Sequence, residues 1–411
     1  MKKIVSLFII TLSLFSGIVF ADDFDAAAEH AIAIESSTGK ILYEKDSMTP
    51  DGIASMTKIL TIYMVYKEIE AGNLSWDTKV DISDYAYDLT ANSDASNVPM
   101  EAREYTVEQL VNAAMVASAN SAAIALAEKI SGTESNFVDL MTAQLKDWGI
   151  TDAKLVNASG LNNSYLGDNI YPGSSETDEN TMSALDIAIV AQHLITEYPD
   201  ILTISNQTTA DFAGTTMTTY NYMLENMPLY REGVDGLKTG TTELAGASFV
   251  ATATTNGMRI ISVVMNADGW EENEFARFNV TNNILNYVGT NYELATVLKT
   301  GDSYENSAAL VIDGKEDSVS AVANKDLMAV LPKKRDTDGS INVSTDKAGY
   351  VAPISKNQII GTAVFNDTNI IGAGYIESAP SVDLVAKSDV ERSMFLKVWW
   401  NHFVNYVNEK L

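Results

Sequence analysis

The chain has 411 residues, 46% of them hydrophobic and 20% charged, and a formal net charge of −28. That is enough chain for two domains of ordinary globular composition, and acidity on this scale, with no basic face to meet phosphates, argues against a nucleic-acid partner. No cysteine is present, which excludes disulfides, thiol chemistry and a Cys-zinc site; three scattered histidines, His30, His193 and His402, supply a Ser-His-Asp triad or a His-rich metal site poorly.

Residues 1–21, MKKIVSLFIITLSLFSGIVFA, join two lysines to an apolar run that ends on a small residue. This reads as a secretory signal cleaved after Ala21; the competing reading is an anchor helix, for which the run is short. Residues 31–45 read as two strands around a Ser-Thr-Gly turn. Helical spacing runs from 55 to 71 and stops at Gly72-Asn73. Thr106 with Gln109 three residues on is a capping box opening a helix toward Val116, and 120–130 and 134–148 continue the helical pattern, with Gly132 and Gly149 as stops. Residues 160–181 form a long Gly/Asn/Ser loop, either a functional cover or a surface excursion. Ser183 caps a helix to 195, Asn256-Gly257 signals a hairpin between two strands, and 271–288 reads as a closing helix. Strands at both ends of a helical middle predict one sheet built from the two ends of the domain, 22–290. Beyond it, AALVID, DLMAVLP and QIIGTAVF alternate between Gly, Asp, Asn and Pro, which predicts a small all-β domain over 291–385.

The tail, 386–411, contains FLKVWWNHFVNYVNEKL. On a helical wheel Phe395, Leu396, Trp399, Trp400, Phe403, Val404, Tyr406, Val407 and Leu411 cover one half, and Lys397, Asn401, His402, Asn405, Asn408 and Glu409 the other. The apolar run is too interrupted to span a bilayer. A wide aromatic face with a polar back suits a helix lying in a membrane interface; the alternative is a helix docked on the β domain.

The chemistry begins in IASMTKIL, residues 53–60. Ser55 and Lys58 fall on one helix face, with Ser55 at the helix start, where amide donors and the positive dipole end favour developing negative charge. Burial lowers a lysine below its usual value of ~10.4, and catalytic lysines work at roughly 7–8. A free amine there can take the serine proton. The spacing alone proves nothing, since Ser37-Thr38-Gly39-Lys40 shares it. Ser118-Ala119-Asn120 has a second copy in Ser340-Ile341-Asn342, and Lys238-Thr239-Gly240 one in Lys299-Thr300-Gly301. Taken singly, each reads as surface Ser/Lys, loop Asn or a strand-end turn. Order decides between them: Ser55, Ser118 and Lys238 lie in one domain, at a helix start, a helix–helix turn and a sheet strand, in the sequence SxxK, SxN, KTG.

That ordered set resembles the penicillin-binding proteins and serine β-lactamases. Together with VDGLKTGTTELAGASFVATAT, MVASANSAAIALAEKISG and IASMTKILT, it is similar to low-molecular-mass penicillin-binding proteins, the D-alanyl-D-alanine carboxypeptidases of the type found in Gram-positive cocci, over essentially the whole mature chain. The resemblance implies an α/β (α+β) β-lactamase-like peptidase domain with an antiparallel sheet and a helical cluster. It implies Ser55 as acylated nucleophile, Lys58 as its base, and Ser118 relaying a proton to the leaving amine beside the charge of Lys238. Asn120 would bind the substrate amide, Thr239 and Thr242 in the Lys238-Thr239-Gly240 strand its terminal carboxylate, and the N–H groups of Ser55 and Thr241 would form the oxyanion hole. Arg277 would supply a fixed cation; the competing reading is a surface arginine pairing with Glu274. Thr241 departs from the histidine that many relatives carry after KTG. No cofactor or metal is implied. The implied partners are the peptidoglycan stem pentapeptide, β-lactams attached covalently at Ser55, and a membrane surface, on the outer face of the cytoplasmic membrane. A β-lactamase or transpeptidase on the same scaffold and a non-catalytic wall-binding protein are the alternatives; no glutamate for a deacylating water is identified in 160–181.

Overall fold

The structure, a computed structural model, describes residues 24–334 and 339–410; the signal segment 1–21 lies outside them. The first domain is a five-stranded antiparallel sheet with helices on both faces. Its strands are β1 (Ala28–Glu35), β2 (Lys40–Lys45), β3 (Val234–Thr242), β4 (Gly246–Thr255) and β5 (Met258–Ala267), in the order β2-β1-β5-β4-β3. The strands from the two ends of the domain meet at β1–β5, in register from Ala28↔Ala267 to Glu35↔Ile260. Asn256 and Gly257 both take positive φ, +50° and +76°, the turn whose twist matches a two-residue hairpin.

One face of the sheet carries α1 (Lys58–Glu70), α2 (Val107–Val116), α3 (Asn120–Ser131), α4 (Glu134–Asp147) and α5 (Ala184–Glu197) around the larger apolar core. Thr106 and Gln109 make both hydrogen bonds of the expected capping box, and Ser183 with Asp186 makes a second. Such a cap contributes about 1 kcal/mol. The other face is covered by α6 (Ala276–Asn291), which packs on β4 and β5. This helix starts at Ala276, five residues later than the sequence pattern suggests, because 269–275 are taken up by turns closed by amides donating to the Gly269 carbonyl.

The second domain has its own core. Its strands are β6 (Tyr292–Leu298), β7 (Ala308–Ile312), β8 (Ser318–Ala323), β9 (Leu327–Pro332), β10 (Ser340–Ser344), β11 (Tyr350–Val351), β12 (Ile359–Asn366) and β13 (Ser381–Ala386). Six of them form a sheet in the order β10-β12-β13-β8-β7-β11, and β6 pairs with β9. The chain ends in α7 (Phe395–Lys410), which exposes Phe395, Leu396, Trp399, Trp400, Phe403 and Tyr406. Among the described residues no helix is long and apolar enough to cross a membrane.

The three decoy motifs end up in other settings. Ser340 and Asn342 lie on β10, and Lys299-Thr300-Gly301 follows β6. Lys40 departs from the surface reading: it is fully buried, with Nζ 2.6 Å from Asp367 of the second domain and donating to the Val330 carbonyl at 2.9 Å.

Candidate active site

The chain reaches the site along a two-residue strand, Asp51–Gly52, paired with Thr181–Met182. Ala54 then takes φ +45°, a region that costs an alanine roughly 1–2 kcal/mol. A 3₁₀ turn, Ala54–Thr57, carries Ser55 to the start of α1. The sequence pattern suggests a helix from 55 onward; the α-helix proper begins at Lys58. The tighter turn still brings residues i and i+3 together, and Lys58 Nζ lies 2.9 Å from Ser55 Oγ.

Lys58 is fully buried. Its amine donates to Asn120 Oδ1 and to the Ser159 carbonyl, both at 2.7 Å. Burial, reinforced by the nearby charge of Lys238, holds Lys58 well below the usual lysine range. The consequence is geometric. A neutral amine has two N–H bonds and one lone pair. Once the amine is neutral, its two hydrogens go to oxygens that can only accept, and the lone pair is left for Ser55, whose hydroxyl then donates to it. Asn120, the first residue of α3, is fixed in turn: its backbone N–H and its Nδ2 both donate to the Ser96 carbonyl at 2.9 Å.

Ser118 closes the break between α2 and α3 with φ +57°. Its Oγ accepts from Lys238 Nζ at 3.0 Å, and the same amine donates to the Thr239 carbonyl. Burial, then the charge of Arg277, lowers Lys238 to about 7. Arg277, on α6, is lowered by burial to about 10. It reaches over the sheet to the carbonyls of Gly240 and Ser248, at 2.8 and 3.1 Å, and to Thr241 Oγ1 at 2.7 Å; it makes no pair with Glu274. Thr241 thus becomes the seat of this arginine.

A cleft of 460 Å³ opens over Ser55, Ser118, Thr239, Thr241 and Arg277, walled by Tyr220, Tyr222, Phe278 and Ser96, with Asp94 and Glu274 at its margin. Of the residues singled out in the sequence, Lys58, Asn120, Lys238 and Gly240 do not line the cleft itself, and neither does Thr242. Its hydroxyl donates to buried Glu179 at 2.6 Å. Asn120, expected to meet the substrate amide, spends its oxygen on Lys58. The loop 160–181 is no loose excursion: Asn163, Glu179 and Asn180 are buried in it, and Glu179 also accepts from Asn162.

Sequence reasoning missed the turn Asn157-Ala158-Ser159-Gly160, which supplies the second acceptor for Lys58. Its Asn-x-Ser-Gly composition is a turn signal, but nothing local ties it to position 58. As to metals, Glu29, His30 and Asp51 bring three ligand atoms within 4.8 Å of one another; none of them lines the cleft.

Residues 18–269 match the family model described as D-alanyl-D-alanine carboxypeptidase. The chain belongs to that family. Residues 292–392 match a second model, the C-terminal domain of penicillin-binding protein 5. Among curated relatives, the D-alanyl-D-alanine carboxypeptidase DacF of Bacillus subtilis is 28% identical over 90% of this chain and 87% of its own length. Among solved structures, a peptidoglycan synthesis regulatory factor, PBP3 of Streptococcus pneumoniae, is 51% identical, covers 90% of this chain and all of its own, and superposes with a TM-score of 0.83. Penicillin-binding protein D2 of Listeria monocytogenes, in its ampicillin-bound form, is 27% identical over 65% of this chain and 99% of its own, with a TM-score of 0.54. Membership of this carboxypeptidase family makes the chain a serine-type hydrolase, in a mixed α/β peptidase domain followed by a β-rich domain and a short helix.

Proposed function

We propose that the protein removes the terminal D-alanine from peptidoglycan pentapeptide stems through an acyl-enzyme on Ser55. The observation that carries this reading is the Lys58 amine, buried, 2.7 Å from both Asn120 Oδ1 and the Ser159 carbonyl and 2.9 Å from the Ser55 hydroxyl. Binding alone needs no such pair.

The Ser55 proton passes to Lys58 Nζ as Oγ attacks the carbonyl carbon of the penultimate D-alanine. The negative oxygen sits against the N–H groups of Ser55 and Thr241. The C–N bond then breaks; the leaving amine takes a proton through Ser118, beside Lys238, and free D-alanine departs. Water attacks the ester, the shortened stem leaves as a carboxylic acid, and Ser55 regains its proton. Thr239, Thr241, the Lys238 amine as a donor and the cationic Arg277 suit the terminal carboxylate of the substrate. β-Lactams imitate the dipeptide and acylate the same oxygen. With a pentapeptide the purified protein is expected to release D-alanine without cross-linking. With penicillin the intact mass is expected to rise by one penicillin. Ser55→Ala should abolish both, and a mass shift that survives in Ser55→Ala removes the reading. Rapid turnover of penicillin would instead favour a β-lactamase.

We further propose that the enzyme works outside the cell, on the outer face of the cytoplasmic membrane, as the N-terminal signal reading and the tail suggest. The support is the exposed aromatic row of α7, with Trp399 stacked on Phe403, which suits the headgroup layer. Removing 388–411 should leave activity on soluble peptides unchanged and release the protein from the membrane fraction; retention there overturns the anchor.

A further inference from the structure

The turn 157–160 touches Lys58 and the residue just ahead of Ser55. Its Ser159 carbonyl takes one hydrogen of the Lys58 amine, and its Ala158 carbonyl accepts from Thr61 Oγ1 at 2.6 Å, one turn further along α1. Gly160, at φ +82°, lies so close to the chain ahead of Ser55 that a Cβ there would sit 1.8 Å from the Ala54 carbonyl oxygen. The turn's backbone amides are held from three directions. Asn180 Oδ1 accepts the amides of Val156 and Asn157, and Asn157 Oδ1 accepts those of Ser159 and Gly160. The amide of Ala158 has a different acceptor, Glu134 Oε1, at 2.8 Å.

Glu134 opens α4 and is 6% exposed. Its other oxygen accepts from the Tyr85 hydroxyl at 2.7 Å, and the remaining charged neighbour acting on it is Glu128, which is half-buried and repels it. A buried carboxylate beside another acid is costly. Burial raises Glu134 to about 7, against the opposing effect of the Ala158 and Tyr85 hydrogen bonds. A position that only filled space would be served better by leucine or methionine. What the carboxylate supplies is an acceptor for one peptide N–H, that of the residue just before the one whose carbonyl orients Lys58.

We propose that Glu134 is a positioning residue of the acylation step: by accepting the Ala158 amide it fixes the peptide plane between 157 and 158 and so anchors to α4 the turn that carries the Ser159 carbonyl. This in turn aims the Ser159 carbonyl at the Lys58 amine, so that the lone pair stays on Ser55. The inference rests on the reading of Lys58 as the base. Ionised and protonated Glu134 both serve, because a proton on Oε2 can point to the Tyr85 oxygen and leave Oε1 free to accept. Glutamine offers the same carbonyl oxygen to Ala158 and the same donor to Tyr85. The requirement is therefore an acceptor at this place, not a charge.

The test is acylation of the full chain by a fluorescent penicillin, resolved into the affinity of the non-covalent complex and the rate constant of the covalent step. Glu134→Gln is expected to stay within about threefold of the parent. Glu134→Leu is expected to lower the covalent rate constant at least tenfold with the affinity little changed, as a small misplacement of a reacting group does. Tyr85→Phe leaves the Ala158 bond in place and should lower the unfolding midpoint but not the covalent rate constant; if Glu134→Leu does not fold, Glu134→Asp, whose shorter side chain withdraws the acceptor from Ala158, is expected to show the same fall, and parental acylation there overturns the proposal. Parental acylation in Glu134→Leu overturns the proposal, as does a fall in Glu134→Gln equal to that in Glu134→Leu, or a tenfold fall in Tyr85→Phe. Lys58→Arg separates the two readings: arginine keeps its proton, so persistent acylation there removes the base itself, whereas a dead Lys58→Arg beside a normal Glu134→Leu removes only Glu134.

Discussion

Two buried lysines share the cleft, and their fields are coupled. Burial lowers both, and the charge of Lys238 lowers Lys58 further. Acylation needs the unprotonated Lys58, so its rate should rise with pH through the folded value of Lys58 and level off well below 10.5. Replacing Lys238 by methionine removes a positive neighbour. The protonated form of Lys58 is then less disfavoured, so the acid limb of the rate profile should move to higher pH while the plateau falls. A limb that stays in place or moves down contradicts the coupling. The same shifts act on stability. Between about 7 and 10.5 the unfolded chain holds a proton on Lys238 that the folded chain has released, so stability from this site rises with pH across that window. In Lys238→Met this contribution to the pH slope should disappear, which denaturant unfolding at several pH values reads directly.

At the scale of elements, the nucleophile turn, the turn 157–160 and the end of β3 are packed backbone on backbone. Gly240 is also close, though less so than Gly160: a Cβ on it would come 2.9 Å from the Ile53 carbonyl oxygen. Gly160→Ala combines a positive φ with a clash against Ala54. It should abolish acylation of Ser55 and cost several kcal/mol of stability, measured by penicillin labelling and thermal unfolding; ordinary labelling in this variant would mean that the turn does not hold the nucleophile. The 160–181 loop is tied to β3 by Glu179 and Thr242. Thr242→Val should therefore cost about 1–3 kcal/mol of stability with KM nearly unchanged. Thr239→Val, on the cleft side, should raise KM for the dipeptide terminus. A raised KM in Thr242→Val would return that residue to the binding site. Much of this layer was legible beforehand. Capping boxes, the Asn-Gly hairpin and helical spacing are local patterns, and each appears within a few residues of its expected place. The start of α1 and of α6 shifted because turns at Ala54–Thr57 and 269–275 obey tertiary packing rather than local periodicity. Ser55, Lys58, Ser118 and Lys238 were found through the order of their motifs, while Glu134 and Ser159 carry no motif; their meaning exists only once the backbone has brought Ala158 to α1.

Across the whole molecule, the two domains meet through Lys40. Its position in the chain suggested a surface lysine, since no local pattern reports a partner 327 residues away at Asp367. The 367–376 segment of the second domain lies along the free edge of β2: Lys40 bridges to Tyr375, the Ile41 amide donates to Gly374, and the Ile376 amide to Gly39. This covers an edge that would otherwise invite pairing with another chain. At its centre the Lys40 side chain is wholly buried and that of Asp367 is 3% exposed, and the Tyr375 hydroxyl donates to the same carboxylate at 2.7 Å. A buried pair adds little over well-packed apolar residues, but removing one member strands the other, at about 3–5 kcal/mol. Asp367→Ala should therefore lower the unfolding midpoint sharply and split unfolding into two steps as the β domain undocks. At low temperature, labelling of Ser55 should persist, because the cleft belongs to the first domain alone. Lys40→Met combined with Asp367→Leu should recover most of the loss, since neither charge is then left buried. Denaturant unfolding of the two singles and the double, followed both by tryptophan fluorescence and by penicillin labelling, gives the coupling energy. If Asp367→Ala matches the parent in stability, or if the double variant is no better than the single, the ion pair does not hold the domains together, and the edge pairing of the 367–376 segment with β2 is what does.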